Sequence, residues 1–532
     1  MPEKQAKVFL RDATGLVREF GVLDAFVVVF GIQLGLGWIP LFAATWATFP
    51  SVNIPAQFIL IGILALFNGI YYVLITSVMP RAGGGGYVPL SRTIHPILGL
   101  GSSFVLVTAI ILNNGYAANY TASLALSGPL GVYAAVTNNA ALASFAAALP
   151  TPGWTVAIGT LVLIVTSATL LAGNRFIKTA LKISFILGSL GFLAIAGVLL
   201  STSQQQFEVA FNSFVGANSY QSVISTANSL GLTISNNWLG PTLFSLPLAM
   251  FEMLGYAWNT YFAGEIKKAD KTMLIVVPLS IIALSFVLGG LALLLQHTFG
   301  DLFIKSASWL YYSYPGNYTG PTPWVTTMVV VANSSPIMVG LVILSLLAWV
   351  FLLIVSFDII VSRHFLAWSF DRAIPSIFGS VSQKFHAPVG GIVTMTLFSE
   401  GALISYTFLP TILGVVNLTY VYIFGLIFDG LAGVALYLRK KDILEASPQL
   451  AKKKLAGVPL IALLGAYSFI FMVALFILSL LFPVLNGPFG VVTLSTIAGA
   501  FILGAISYVA MRAYQSRLGI DISYAFKEIP PE

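Results

Sequence analysis

Few residues in this chain can do chemistry. Only 8% of its 532 residues are charged and none is cysteine, which excludes disulfides, thiol catalysis and cysteine–metal sites. The four histidines, His95, His297, His364 and His386, are scattered without ligand spacing, so no metal centre is expected. No Walker-type phosphate loop occurs, which argues against ATP-driven work within the chain. No cluster of His and Asp shares one depth, so no enzymatic activity and no cofactor are expected. What remains is a handful of acids and lysines inside apolar runs. Glu252, in LAMFEMLGYAW (248–258), is the most informative of them. A charge buried in such a run is expensive and by default functional, so Glu252 is expected to hold an ammonium group or carry a proton. The plainer alternative is a buried acid, protonated or bonded to a neighbouring helix. Asp24, Asp358 and Asp429 lie toward span ends, where ion pairs with Arg or Lys are expected, and Glu400 near the middle of a run has no assigned role.

The elements that position these groups follow from composition. The chain is 58% hydrophobic with mean hydropathy +0.93, whereas a soluble chain carries about 25% charged residues. The fold class is therefore an all-α polytopic membrane protein. A span needs about 20 apolar residues, and twelve segments qualify, near 22–44, 55–79, 97–121, 153–172, 177–200, 240–263, 273–296, 333–362, 389–408, 410–438, 457–483 and 489–512. With the N-terminus inside, 24 of the 25 basic residues fall on inner segments, Lys305 being the exception. That bias matches the positive-inside rule and sets both termini on the cytoplasmic side of the cell membrane. The net charge of +7 is thus a topology signal, and nucleic acid is not an expected partner; the lipid bilayer is. The charged N-terminal residues MPEKQAKVFLRDATGLVREF show no signal-peptide pattern. Residues 1–21 and 513–532 are read as cytoplasmic tails, 439–456 as a basic loop, and 122–152, 201–239 and 297–332 as long outer connections rich in Ser, Asn, Thr, Gly and Pro.

Spans 1–5 (22–200) and 6–10 (240–438) can be laid over each other, leaving spans 11 and 12 (457–512) extra. Two five-span halves enter the membrane in opposite directions, the inverted repeat of many secondary transporters, whose substrate site lies where a broken helix from each half meets. Span 1 carries FGIQLGLGWIP (30–40) and span 6 carries Glu252 and Gly255, each interrupted mid-span. Helix packing through small residues is the competing explanation for such glycines. An unwound stretch exposes backbone N–H groups and the positive end of a half-helix, which favour a carboxylate.

Four segments resemble the amino acid–polyamine–organocation transporters: FGIQLGLGWIP, MPRAGGGGYVPLSR (79–92), FAGEIKKADKTMLIVVP (262–278) and SRHFLAWSFDRAIPSIFGSVSQKFHAPVGGI (362–392). The resemblance implies a leucine-transporter-like fold and a small amino acid or amine substrate moved by alternating access, by proton-coupled symport or exchange. It assigns Gln33, Gly35, Leu36 and Gly37 to the substrate carboxylate, and carbonyls near Phe251 and Leu254 to its ammonium, with Gly255 at the bend and Phe251 as an aromatic cover. Leu36 stands where many members have Ser, so only main-chain donors remain there. Asn113, Asn114 and Tyr116 are candidate cavity residues or cross-helix bonds. In proton-coupled members a lysine at the position of Lys182 replaces a sodium ion and bridges span 1 to span 8, where Ser356 would be its neighbour. Snorkelling of a helix-end lysine is the other explanation for Lys182. Leu36 and Phe251 favour neutral amino acids, and Glu252 favours cationic amines or polyamines; a receptor that binds without transport is a further alternative. The oligomeric state is not encoded in any motif.

The run MPRAGGGGYVPLSRTIHP (79–96) is read as an inner-gate element dipping back against the bundle. Gly83 and Gly84 would be small because helices pass over them, and Arg81, Arg92, Arg363 and Asp371 would form ion pairs that open and close. Its counterpart in the second half is the connection 297–332.

Overall fold

The computed structural model describes residues 18–79, 83–382, 387–414, 416–482 and 489–527. Of these residues, 82% are helical. Among the described residues, ten helices are long and apolar enough to cross a membrane, and a bent pair raises the count to eleven. The protein is therefore a multi-pass, all-α membrane protein.

The bent pair is α1 (Val22–Leu34) and α2 (Trp38–Thr48), which meet at 40°. α3 (Ile54–Val78) starts where the Asn53 side chain accepts from the Ala56 amide, with Pro55 in the first turn, where its missing donor costs nothing. A short helix, α4 (Tyr87–Thr93), precedes α5 (Pro96–Tyr120), which opens on another proline, with His95 Nδ1 accepting from the Ile97 amide. α6 (Pro152–Leu171) and α7 (Asn174–Ser201) follow. Next come α8 (Leu246–Met253), which runs directly into 3₁₀ turns over Leu254–Tyr261, and α9 (Ala269–Phe299). The short α10 (Val325–Ala332) precedes the 35-residue α11 (Pro336–Phe370), capped by Ser335. α12 (Val389–Phe408), α13 (Leu418–Ile427) with α14 (Asp429–Arg439), α15 (Leu460–Leu481) and α16 (Val491–Arg517) complete the bundle.

Three expectations change. The span expected at 240–263 contains no long helix: it is Leu239–Phe244, α8 and the 3₁₀ turns in succession, with Pro241 and Pro247 placing new helix starts inside it. The tenth span begins at Leu418, not 410, because Pro410–Leu413 is a separate turn and the Asn417 side chain caps the helix by accepting from the Thr419 amide. The outer connections are largely helical. α5 widens into a π-helical stretch over Thr121–Ser127 and continues as Gly128–Val136. Helices also form at Ala140–Ala148, Gln204–Val215, Ser219–Ser229 and Asp301–Ser313. The polar residues that suggested loops instead cap these helices: Asn139 accepts from the Leu142 amide, and Ser203 and Gln206 bond each other's backbone.

α3 packs along α9, and α7 along α11. Close crossings use small residues, as at α14 and α15, where a Cβ on Gly430 would meet the Gly465 carbonyl at 2.3 Å. Large apolar side chains on α7, α9 and α16, among them Leu193, Phe286 and Leu503, face outward, as a lipid-facing surface requires.

Candidate functional site

A cavity of about 140 Å³ lies where the break between α1 and α2 meets α8. It is close in size to an apolar cavity of ~150 Å³ that takes up benzene, so a small amine or amino acid fits. Seven of the eight expected binding residues line it: Gly35, Leu36, Gly37, Phe251, Glu252, Leu254 and Gly255. Asn113 and Tyr116 of α5 join them.

Gln33 does not. Its Nε2 donates to the Met253 carbonyl at 3.0 Å, and Gly255 packs on its side chain, where an added Cβ would sit 2.3 Å from Gln33 Cγ. The amide that was expected to meet a carboxylate is spent tying the end of α8 to α1. Gln33 therefore positions the two breaks against each other.

The two breaks differ in chemistry. Between α1 and α2 the helix opens, and the Leu36 and Gly37 amides donate to no acceptor among the described residues. They lie at the positive end of α2. On the other side the chain does not open: α8 tightens into 3₁₀ turns, and among the carbonyls near Phe251 and Leu254, which were expected to hold an ammonium group, that of Met253 is already bonded to Gln33. What this side offers instead is the Glu252 side chain. Glu252 is 5% exposed, and its Oε1 lies 1.8 Å from where a Cβ on Gly37 would stand. Only glycine permits that approach. No hydrogen bond or ion pair engages the Glu252 carboxylate among the described residues. An unpaired acid and unpaired amides share one cavity, so both poles of a zwitterion find a complement there.

The remaining wall is aromatic and was not picked out from sequence. Trp258, Phe357 and Tyr422 line the cavity, with Phe357 and Tyr422 stacked at 6.2 Å and Phe251 edge-on to Tyr422 at 5.8 Å. Asn417 also lines it. Aromatics are common throughout the spans, so only their convergence on the broken helices distinguishes Trp258, Phe357 and Tyr422.

Lys182 is not beside Ser356. Its Nζ pairs with Asp24 Oδ1 at 2.7 Å, and its side chain is 42% exposed. The Ser356 hydroxyl is buried without a partner. The reason lies in the register: Asp24 occupies the first turn of α1, beside α7, and captures the lysine at the helix end. Among the described residues Asp358 and Asp429 do not form the expected ion pairs: Asp358 accepts from Asn114 Nδ2 at 2.7 Å, and Asp429 accepts from the Tyr72 hydroxyl at 3.0 Å. Glu400 is held by the Thr160 hydroxyl at 2.6 Å, a contact between α6 and α12.

At the basic end of the bundle two buried ion pairs form. Arg92 of α4 meets Asp371 at 2.6 Å, and the Tyr87 hydroxyl donates to the same carboxylate at 2.6 Å. Arg363 of α11 makes a two-pronged pair with Glu265, Nε to Oε1 at 2.6 Å and Nη2 to Oε2 at 2.9 Å. Asn174 also donates to Glu265, at 3.1 Å. Expectation included Arg92, Asp371 and Arg363 but not Glu265, which precedes Lys267 and Lys268 by one intervening residue and resembles an ordinary loop charge. The Glu265 carbonyl also accepts from the Glu19 and Phe20 amides at 3.0 Å, so the residues leading into α1 are stitched to those following the 3₁₀ turns.

The glycine run threads this end. The Gly84 amide donates to the Tyr261 carbonyl at 3.0 Å. Gly84 and Gly85 hold positive φ, +87° and +52°, and a Cβ would meet Ala367 from Gly84 at 2.8 Å and the Tyr261 ring from Gly85 at 2.1 Å. Gly83 lies 3.3 Å from the Tyr261 carbonyl on the same measure. Arg81 falls outside the described residues. Compared with protein-family models and with curated proteins, the chain gives no match.

Proposed function

We propose that this protein is a secondary transporter that carries a small amino acid or related amine across the cytoplasmic membrane by alternating access, driven by proton symport or exchange. The observation that carries the reading is the cavity at the two breaks, which is lined by the unpaired Glu252 carboxylate, packed against Gly37, and by the unbonded Leu36 and Gly37 amides. The substrate ammonium binds Glu252, its carboxylate binds the amides at the start of α2, and its side chain lies among Phe251, Trp258, Phe357 and Tyr422.

Further features support a 5+5 inverted repeat, with residues 239–261 as a twelfth, broken crossing. Each half has a break, the second helices α3 and α9 pack together, and a short buried helix (α4 or α10) precedes the third. The pairs Arg92–Asp371 and Arg363–Glu265 close the cytoplasmic side and must part for the substrate to leave inward. Glu252, as the cavity's acid, also favours cationic amines and polyamines as an alternative substrate class. A thermal-shift screen across amino acids and polyamines tests the site. Stabilisation by one class is expected for the native protein and is lost in Glu252→Gln; equal stabilisation of both proteins would overturn the assignment.

A further inference from the structure

Beneath the glycine run lies a second cavity of about 20 Å³, lined by Tyr71, Tyr72, Thr76, Gly85, Gly86 and Asp429 among others. One water needs about 10–15 Å³, so there is room for a single molecule. Asp429 opens α14 and is 4% exposed. One carboxylate oxygen accepts from the Tyr72 hydroxyl at 3.0 Å, and the other lies 2.0 Å from where a Cβ on Gly86 would stand. The Tyr71 hydroxyl donates to the Asp429 carbonyl.

The groups facing this carboxylate are phenols, not cations. α3 brings Tyr71 and Tyr72, and the 3₁₀ segment brings Tyr261, whose ring covers Gly85. α4 brings no charge to it, because Tyr87 and Arg92 are both turned to Asp371. α15 contributes Gly465 and the Ser468 side chain beside Gly430. Among the described residues no lysine, arginine or histidine bonds Asp429. With Glu252 and Asp358 it is one of three buried acids without a counter-ion among the described residues, and its cavity shares no lining residue with the substrate cavity.

We infer that Asp429 is a proton-binding site whose occupancy follows the glycine turn: its carboxyl takes a proton when residues 83–86 close over it and gives that proton to water when they withdraw. With Gly85 and Gly86 packed against it, the carboxylate has lost its water and gained no opposite charge from the described residues, and an ion buried so is costly. Moving the turn away opens the small cavity to water, which solvates the anion and accepts the proton from the carboxyl O–H. The step needs no other reactant. A proton bound here holds the turn closed, so proton binding and gate position are linked in both directions.

This inference rests on reading residues 83–93 as a gate of a transporter, but its first test needs neither transport nor a substrate. Infrared difference spectra of the lipid-reconstituted protein between acid and alkaline buffer are expected to contain a carboxylic-acid carbonyl band that is missing in Asp429→Asn, present in Asp429→Glu and shifted in midpoint in Tyr72→Phe. A spectrum unchanged by Asp429→Asn overturns the site. The second test uses the absence of native cysteine. Thr76→Cys, in the small cavity, is alkylated with a maleimide and its rate normalised to Ser380→Cys, an exposed position. The normalised rate should rise several-fold from acid to alkaline buffer and become independent of pH when Asp429→Asn is added. A pH-independent rate with Asp429 intact overturns the link to the gate.

Discussion

The cavity at the centre of the molecule and the closure at its basic end treat charge in opposite ways. At the basic end two buried acids each have an arginine: Asp371 has Arg92, and Glu265 has Arg363 in a two-pronged pair. In the centre Glu252 is equally buried and stands alone, facing amides that are also unbonded. Burial of an ion is tolerated where a partner and hydrogen bonds replace water, and is costly where they do not. The paired end therefore completes its own charges, while the central acid has no partner among the described residues, as the proposed ligand site requires.

Substitutions can break this contrast. The largest effect is expected from Arg363→Ala, which strands Glu265 in the bundle; loss of one member of a buried pair costs about 3–5 kcal/mol, read as a large fall in melting temperature in detergent. Glu252→Gln should do the reverse. It replaces a buried acid that has no partner among the described residues by a neutral amide of the same shape, so the melting temperature holds or rises, while the affinity of an ammonium ligand falls about 10- to 100-fold, the worth of a charged hydrogen bond. Gly84→Leu tests the closure sterically: overpacking costs about 1–3 kcal/mol, and transport should drop more than the amount of protein inserted in the membrane. The smallest effect is expected at Lys182→Ala. Its pair with Asp24 is partly exposed, and such pairs contribute about 0–1 kcal/mol, so stability should barely change. If pH-dependent uptake also survives in that variant, proton coupling lies elsewhere than Lys182.

Much of the fold was legible because the membrane imposes it. Apolar runs and the one-sided distribution of lysine and arginine mark the spans, and Asn53, Pro96 and Pro336 mark where helices start. The lining glycines, Glu252 and Phe251 could be read from the interrupted spans. Side-chain pairing could not. Gln33 has the same chemistry whether it meets a ligand or the Met253 carbonyl, and only the crossing of α1 and α8 decides between them. Asp358 was expected to meet a cation but faces Asn114 instead, because its depth on a 35-residue helix puts it opposite α5. Residues 410–413 extend an apolar run in sequence, yet Asn417 resets the helix after them. Distances of more than 200 residues along the chain separate the partners of the central site, and periodicity carries no information across such a gap.

The most direct test of a transported substrate is uptake of radiolabelled amino acids and polyamines into proteoliposomes containing the purified protein, with and without an imposed pH gradient. The account predicts saturable uptake of one class, accelerated when the outside is acid and abolished by Glu252→Gln. Binding of that class without any flux, with or without the gradient, would contradict it.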